Sequence, residues 1–90
     1  MTANSAPHQT LSLTVAQALQ QAITYHQAGK LQDAERLYRV ILQGQRNHPD
    51  AHYYLGVIAV QLKQPDAGLP HFKTALEANP NQAHYWAGLH

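Results

Sequence analysis

Residues 49–82 read PDAHYYLGVIAVQLKQPDAGLPHFKTALEANPNQ, and residues 15–48 before them read VAQALQQAITYHQAGKLQDAERLYRVILQGQRNH. The two segments align without a gap at a spacing of 34 residues. The matched pairs are Ala22 with Gly56, Gln27 with Gln61, Ala34 with Gly68, Tyr38 with Phe72 and Leu42 with Leu76. A fixed period of about 20 to 50 residues indicates a solenoid of repeated units. We therefore expect complete repeats at residues 15–48 and 49–82 and a partial third repeat at residues 83–90.

Each repeat contains two stretches of helical periodicity separated by a turn. In the first repeat, apolar residues recur every three or four positions over residues 15–23 and again over residues 31–42, which is the spacing of one helix face. Thr14 and Gln17 match a capping box at the start of a helix. Gly29 favours the left-handed conformation in which helices often end. The sequence therefore predicts an all-α fold built from antiparallel helical hairpins.

The turn of the second repeat has different residues from the turn of the first. It is predicted at residues 63–66, where Pro65 cannot continue the preceding helix and Asp66 suits the N-cap or the first turn of the next one. Pro70 follows about one turn later, lacks a backbone donor and crowds the turn before it. We therefore expect the second helix of this repeat to start late or to be distorted at its start.

Small residues lie where the two helices of each repeat should cross. These residues are Ala22 and Ala34 in the first repeat and Gly56 and Gly68 in the second. Small side chains allow helix axes to approach to about 8–10 Å. The large residues Tyr38 and Phe72 are predicted to fill the space beside each crossing, as close packing requires.

The composition argues against several classes of function. Six Lys plus Arg and five Asp plus Glu give a formal charge of +1, which does not predict binding of nucleic acid or of an anionic membrane. The chain has no cysteine and therefore no disulfide. Residues 1–13 lack the pattern of a secretory signal, and no apolar run approaches the roughly 18 residues of a membrane span. We expect a cytoplasmic protein with a flexible leader at residues 1–13 and a repeat domain at residues 14–90.

Seven histidines raise the question of a metal site. Zinc needs three or four converging ligands, and Pro49 disfavours a helical conformation of His48, so no metal site and no cofactor are predicted. Protonation of all seven histidines would raise the formal charge from +1 to +8, and we expect acid-sensitive solubility or assembly. No Gly-rich phosphate loop and no Ser/His/Asp signature is present, so we predict no catalytic residues and no enzymatic activity.

The second repeat carries most of the residues of a known motif. These residues are Leu55-Gly56, Gly68-x3-Phe72, Ala75-Leu76 and Pro80, and the partial third repeat adds Trp86-x2-Leu89. The pattern resembles the tetratricopeptide repeat, a helical hairpin of 34 residues, although His52 and Ala59 stand where that motif has its first aromatic residue and its tyrosine. The resemblance implies an α-solenoid of two helix-turn-helix repeats and a C-terminal capping helix, which is the first helix of the third repeat.

Stacked hairpins of this kind place their first helices along a concave groove that binds partners. The resemblance places the following residues in that groove: Leu19, Ile23, His26, Gln27, Tyr53, Val57, Val60, Gln61 and His84, with Ala87. The surface is apolar and lacks the Lys, Arg and Asn side chains that would clamp a terminal carboxylate. Tyr53 is assigned to the groove and Tyr54 to a partly buried position. The alternative, that Leu19, Ile23 and Val57 are only core residues, stays open.

The function implied by the resemblance is a protein–protein interaction module, a scaffold or adaptor that binds a peptide or a partner helix in the groove. Two repeats are fewer than the three usually needed for stability, so we expect either that the third helix acts as a lid or that copies of the chain self-associate. The alternative function is a non-catalytic N-terminal repeat segment of a larger enzyme such as a glycosyltransferase. Residues 48–58 resemble bacterial repeats that precede such catalytic domains, and residue 90 falls inside a repeat.

Overall fold

The computed structural model describes residues 14–82 together with Tyr85 and Trp86. Four helices follow one another along this part of the chain: α1 is Val15–Gln27, α2 is Leu31–Gly44, α3 is Pro49–Gln61 and α4 is Pro65–Ala78. Helix α1 packs against α2, α3 packs against α4, and α2 packs against α3. The predicted all-α fold of two helix-turn-helix repeats is confirmed. The predicted leader and residues 83, 84 and 87–90 of the third repeat lie outside the described residues.

The ends of α1 have the predicted local structure. The Thr14 hydroxyl accepts the Gln17 backbone N–H at 3.0 Å, and the Gln17 side-chain oxygen accepts the Thr14 N–H at 2.9 Å, so two amides of the first turn are satisfied. After α1, Gly29 has a φ of 80°, which glycine adopts without steric cost. The turn after α3 places Lys63, 34 residues further on, at a φ of 62°.

The expectation of a late start for α4 is wrong. The helix begins at Pro65, with Asp66 in its first turn, and continues through Pro70 to Ala78. Proline is well suited to the first helical position because its φ is already helical and its missing N–H would have no partner there. Pro70 costs one backbone hydrogen bond, but it and Asp66 are both exposed, so water can bind the Asp66 carbonyl that Pro70 leaves without a donor.

The second repeat has a very close helix crossing. A Cβ atom on Gly68 would lie 2.9 Å from the Gly56 carbonyl oxygen, and one on Gly56 would lie 2.7 Å from the Phe72 ring. Both distances are shorter than van der Waals contact, so only glycine fits at either position. In the first repeat, Ala22 and Ala34 are fully buried. The predicted role of the small residues is confirmed.

The core runs through both repeats. Its larger cluster consists of Ala18, Ala22, Ala34, Tyr38, Ile41, Ala51, Leu55 and Ile58. Tyr85 is also buried and packs against Ala75 and Leu76 of α4. Tyr85 therefore covers part of the second repeat, as expected of the capping helix, while Trp86 beside it stays half exposed.

Candidate partner-binding groove

Helices α1 and α3 carry almost no charge. Asp50 is their only charged residue, since all the Lys, Arg and other Asp and Glu residues lie on α2, on α4 or in the connecting turns. Charged side chains are strongly hydrated and resist burial in an interface. The first helices of the two repeats therefore form the part of the molecule that loses the least hydration when it is covered.

A side-chain hydrogen bond joins the first helices of the two repeats. The His26 Nε2 of α1 and the Gln61 Oε1 of α3 are 2.6 Å apart, and because the amide oxygen only accepts, the imidazole donates. The His26 ring also meets the ring of Tyr54 edge-on, with centroids 6.1 Å apart. The predicted groove residues His26 and Gln61 are thus brought together, although they are 35 positions apart in sequence.

Five aromatic residues form a continuous cluster beside this bridge, and we call it the aromatic cluster. Its members are Tyr38, Tyr53, Tyr54, Phe72 and Tyr85. Tyr38 and Tyr54 stack with ring centroids 5.5 Å apart and an angle of 11°. Tyr53 contacts Tyr54, Phe72 and Tyr85 at centroid distances of 5.1, 5.8 and 5.3 Å. Offset and edge-on ring contacts of this kind stabilise beyond their buried area, so the cluster holds Tyr53 in place before any partner arrives.

The sequence analysis did not find the role of Asp50. The Tyr85 hydroxyl donates a hydrogen bond to the Asp50 carboxylate, which ties the start of α3 to the residue after the second repeat. Burial and then this hydrogen bond raise the pKa of Tyr85. Burial, followed by the charge of Asp50, also raises the pKa of Tyr54. The available signal was that a buried tyrosine hydroxyl needs a partner, but sequence spacing did not identify which one.

The remaining predicted groove residues differ in exposure. Leu19, Ile23 and Val57 are half-buried, and Gln27, Val60 and Gln61 are exposed. Leu19 packs against the core, which agrees with its alternative interpretation as a core residue. Tyr53 and Tyr54 are both half-buried, so burial does not separate their roles. His84 and Ala87 lie outside the described residues.

A second apolar surface lies at the far side of α4. A shallow cavity of about 470 Å³ is lined by Leu69, Lys73, Leu76, Glu77, Pro80 and Trp86. Leu69 and Trp86 are each about half exposed there. This is the surface on which self-association would have to be tested, and self-association stays a prediction.

His48 does not follow the helix that it precedes. It is in an extended conformation, and its Nδ1 accepts the Ala51 N–H at 3.2 Å, so it acts as the N-cap of α3 as its position before proline favours. Among residues 14–82 with Tyr85 and Trp86, no three side chains of metal-ligating type are grouped around a common point. None of the helices α1 to α4 is long and apolar enough to cross a membrane.

The fold and the groove agree with a comparison against known families. The profile of the tetratricopeptide repeat matches residues 25–89, which is most of the chain. This chain belongs to the tetratricopeptide repeat family. Repeats of this family are generally scaffolds for protein–protein interaction, and the chain is a helical protein-binding module of that kind.

Two curated relatives of this tetratricopeptide repeat chain have the same printed name. Superkiller complex protein 3 of Homo sapiens and that of Mus musculus are each 35% identical to it over 51 residues, which are 57% of this chain. The chain spans only 3% of the length of either relative, so the similarity is one of repeat units. No solved structure matches the chain significantly.

Proposed function

We propose that the groove along α1 and α3 binds an uncharged, apolar segment of a partner protein, either an extended peptide or one face of a helix. The observation that supports this most directly is the distribution of charge, because Asp50 is the only charged residue of the two helices. A segment rich in apolar and aromatic side chains can cover this surface without burying an unpaired cation. The proposed role is binding without catalysis.

The contacts between the repeats support a single continuous site. The His26–Gln61 hydrogen bond and the edge contact of His26 with Tyr54 connect α1 directly to α3. A partner that contacts both helices therefore meets a surface whose two halves are already joined. Pre-organisation of this kind reduces the entropy that is lost on binding.

Selection from a random peptide display library on the immobilised chain tests the proposal. We expect enriched peptides to be apolar and to bind equally well with a free or an amidated C-terminus, because the described part of α1 and α3 offers no cation for a carboxylate. A requirement for the free carboxylate would contradict the proposed chemistry.

A matched pair of variants locates the binding surface. Val60→Asp introduces a carboxylate on α3, and Val40→Asp introduces the same group on α2, at positions that are 47% and 51% exposed. We expect Val60→Asp to weaken binding of the enriched peptides by about tenfold, or about 1.4 kcal/mol, because the partner must dehydrate the new charge. Val40→Asp should leave fluorescence-anisotropy titrations unchanged, and equal losses in both variants would place the site elsewhere.

A further inference from the structure

His52 takes over the hydrogen bond of a tryptophan. In the partial third repeat, the Trp86 indole N–H donates to the Pro80 carbonyl at 3.2 Å. Exactly one period earlier, at the matched positions, the His52 Nε2 lies 2.7 Å from the Arg46 carbonyl oxygen. A carbonyl oxygen only accepts, so the Nε2 of His52 carries the hydrogen. In the neutral ring this leaves the Nδ1 of His52 as an acceptor.

The acceptor atom of His52 meets a second histidine from the other helix of the hairpin. The Nδ1 of His71 on α4 lies 3.0 Å from the Nδ1 of His52 on α3. The ring centroids are 5.2 Å apart, so the rings meet end to end and one hydrogen lies between the two nitrogens. When both rings are neutral, His71 must supply that hydrogen, which assigns its tautomer as Nδ1–H.

The charged groups that face this pair come from α2. Arg39 and Glu35 of α2 act on His71, and Arg39 donates two hydrogen bonds to one oxygen of Glu35, at 2.9 and 3.1 Å. Burial, the neighbouring His52 and Arg39 lower the pKa of His71, whereas Glu35 raises it. The net direction keeps His71 neutral at neutral pH.

We propose that His52 and His71 form an acid-labile link between α3 and α4, which tolerates one added proton and breaks when it takes up two. With one added proton, the cationic ring donates its Nδ1–H to the neutral ring, and the hydrogen bond persists. With two added protons, each Nδ1 carries its own hydrogen. Two N–H donors of like charge then face each other, so the rings must separate.

The dependence of stability on pH follows from proton counting. In the unfolded chain each histidine takes up a proton near pH 6.5, its usual pKa, while the folded pair resists the second proton. Because the unfolded state binds more protons in acid, the folded state is favoured above about pH 6.5 and loses stability as the pH falls through the lowered folded pKa. The folded-to-unfolded ratio should fall by up to about tenfold per pH unit in that range, for one proton of difference.

Urea unfolding of three chains, between about pH 7.5 and pH 5, isolates this effect. His71→Leu removes the pair and places at position 71 the residue that the first repeat has at the matched position, Leu37. His48→Asn removes a different histidine but keeps a side-chain oxygen that can cap α3. We expect the wild type and His48→Asn to lose stability in acid to a similar extent, and His71→Leu to lose up to about tenfold less of its folded-to-unfolded ratio per pH unit. An unchanged pH dependence in His71→Leu would overturn the proposal.

NMR of the wild-type chain gives a second measurement that needs no variant. Long-range nitrogen–proton correlations distinguish the two tautomers of each ring. At about pH 7.5 we expect His52 as Nε2–H and His71 as Nδ1–H, followed by two coupled titration steps of which the second lies below the usual range. Independent titration of both rings near their usual pKa of about 6.5, with His71 as Nε2–H, would contradict the proposal.

Discussion

The two repeats have helices of the same lengths but different residues at the positions where those helices meet. Helices α1 and α3 each have 13 residues, and α2 and α4 each have 14. The first repeat crosses at two alanines, turns at Gly29 and buries Tyr38. The second crosses at two glycines, turns at Lys63 and buries Phe72. The comparison shows that the period determines the backbone, while the closeness of packing and the location of strain differ between the repeats.

The largest effect is expected at the crossing of the second repeat. Gly68→Ala, which copies the matched Ala34, should destabilise the chain by about 2 kcal/mol, because its Cβ would lie 2.9 Å from the Gly56 carbonyl oxygen and the helices must move apart. Urea unfolding measures the loss. Gly44→Ala is the control, since nothing lies within 4 Å of its Cβ, and it should be neutral or stabilising by up to about 1 kcal/mol. Equal effects of the two substitutions would show that the repeats cross in the same way.

A smaller effect of opposite sign is expected at the matched aromatic residues. The Tyr38 hydroxyl is buried and has no hydrogen-bond partner among the described residues, and burial is the main cause of its raised pKa. Tyr38→Phe should therefore stabilise the chain by about 1 kcal/mol, because an unpaired buried hydroxyl is costly. The reverse exchange in the second repeat, Phe72→Tyr, should destabilise it by a similar amount. If thermal unfolding shows that Tyr38→Phe is the destabilising change, the hydroxyl has a partner and the two sites are not equivalent.

The smallest effect is expected at the turns. Lys63 has a left-handed φ of 62° where the first repeat has Gly29, and this conformation costs a residue with a side chain about 1–2 kcal/mol. Part of that cost is offset because glycine loses more entropy on folding, so Lys63→Gly should stabilise by about 0.5–1 kcal/mol. Gly29→Ala should destabilise by a similar amount in the same denaturation assay. A loss of stability in Lys63→Gly would mean that the lysine side chain contributes contacts that outweigh its backbone strain.

Much of the fold could be predicted because its signals are local. The capping box of Thr14 and Gln17 and the left-handed turn at Gly29 each depend on residues within one helical turn. The crossing of Gly56 and Gly68 was predictable for a different reason, since the 34-residue period aligned them with two alanines. The start of α4 was mispredicted because the effect of Pro70 depends on whether water can reach the carbonyl that it leaves without a donor.

The candidate groove was only partly predictable. The family resemblance pointed to His26 and Gln61, and the structure brings them together, but the spacing of residues gave no sign that they bind each other. The contacts of Asp50 with Tyr85 and of His52 with His71 also join residues far apart in sequence. Such pairs depend on how each helix is rotated about its axis, and the periodicity of a single helix does not specify that rotation to within one side chain.

The amino-acid order alone was sufficient for the repeat length, the four helices and the small residues at their crossings, because hydrogen bonds and side-chain spacing within a helix obey a local geometry. The packing of one helix on another decided the rest: the aromatic cluster around Tyr53, the bridge between the first helices, and the two histidine rings that share a hydrogen. These features need atoms from separate helices to meet within about 3 Å for polar contacts, and only the assembled molecule brings them so close.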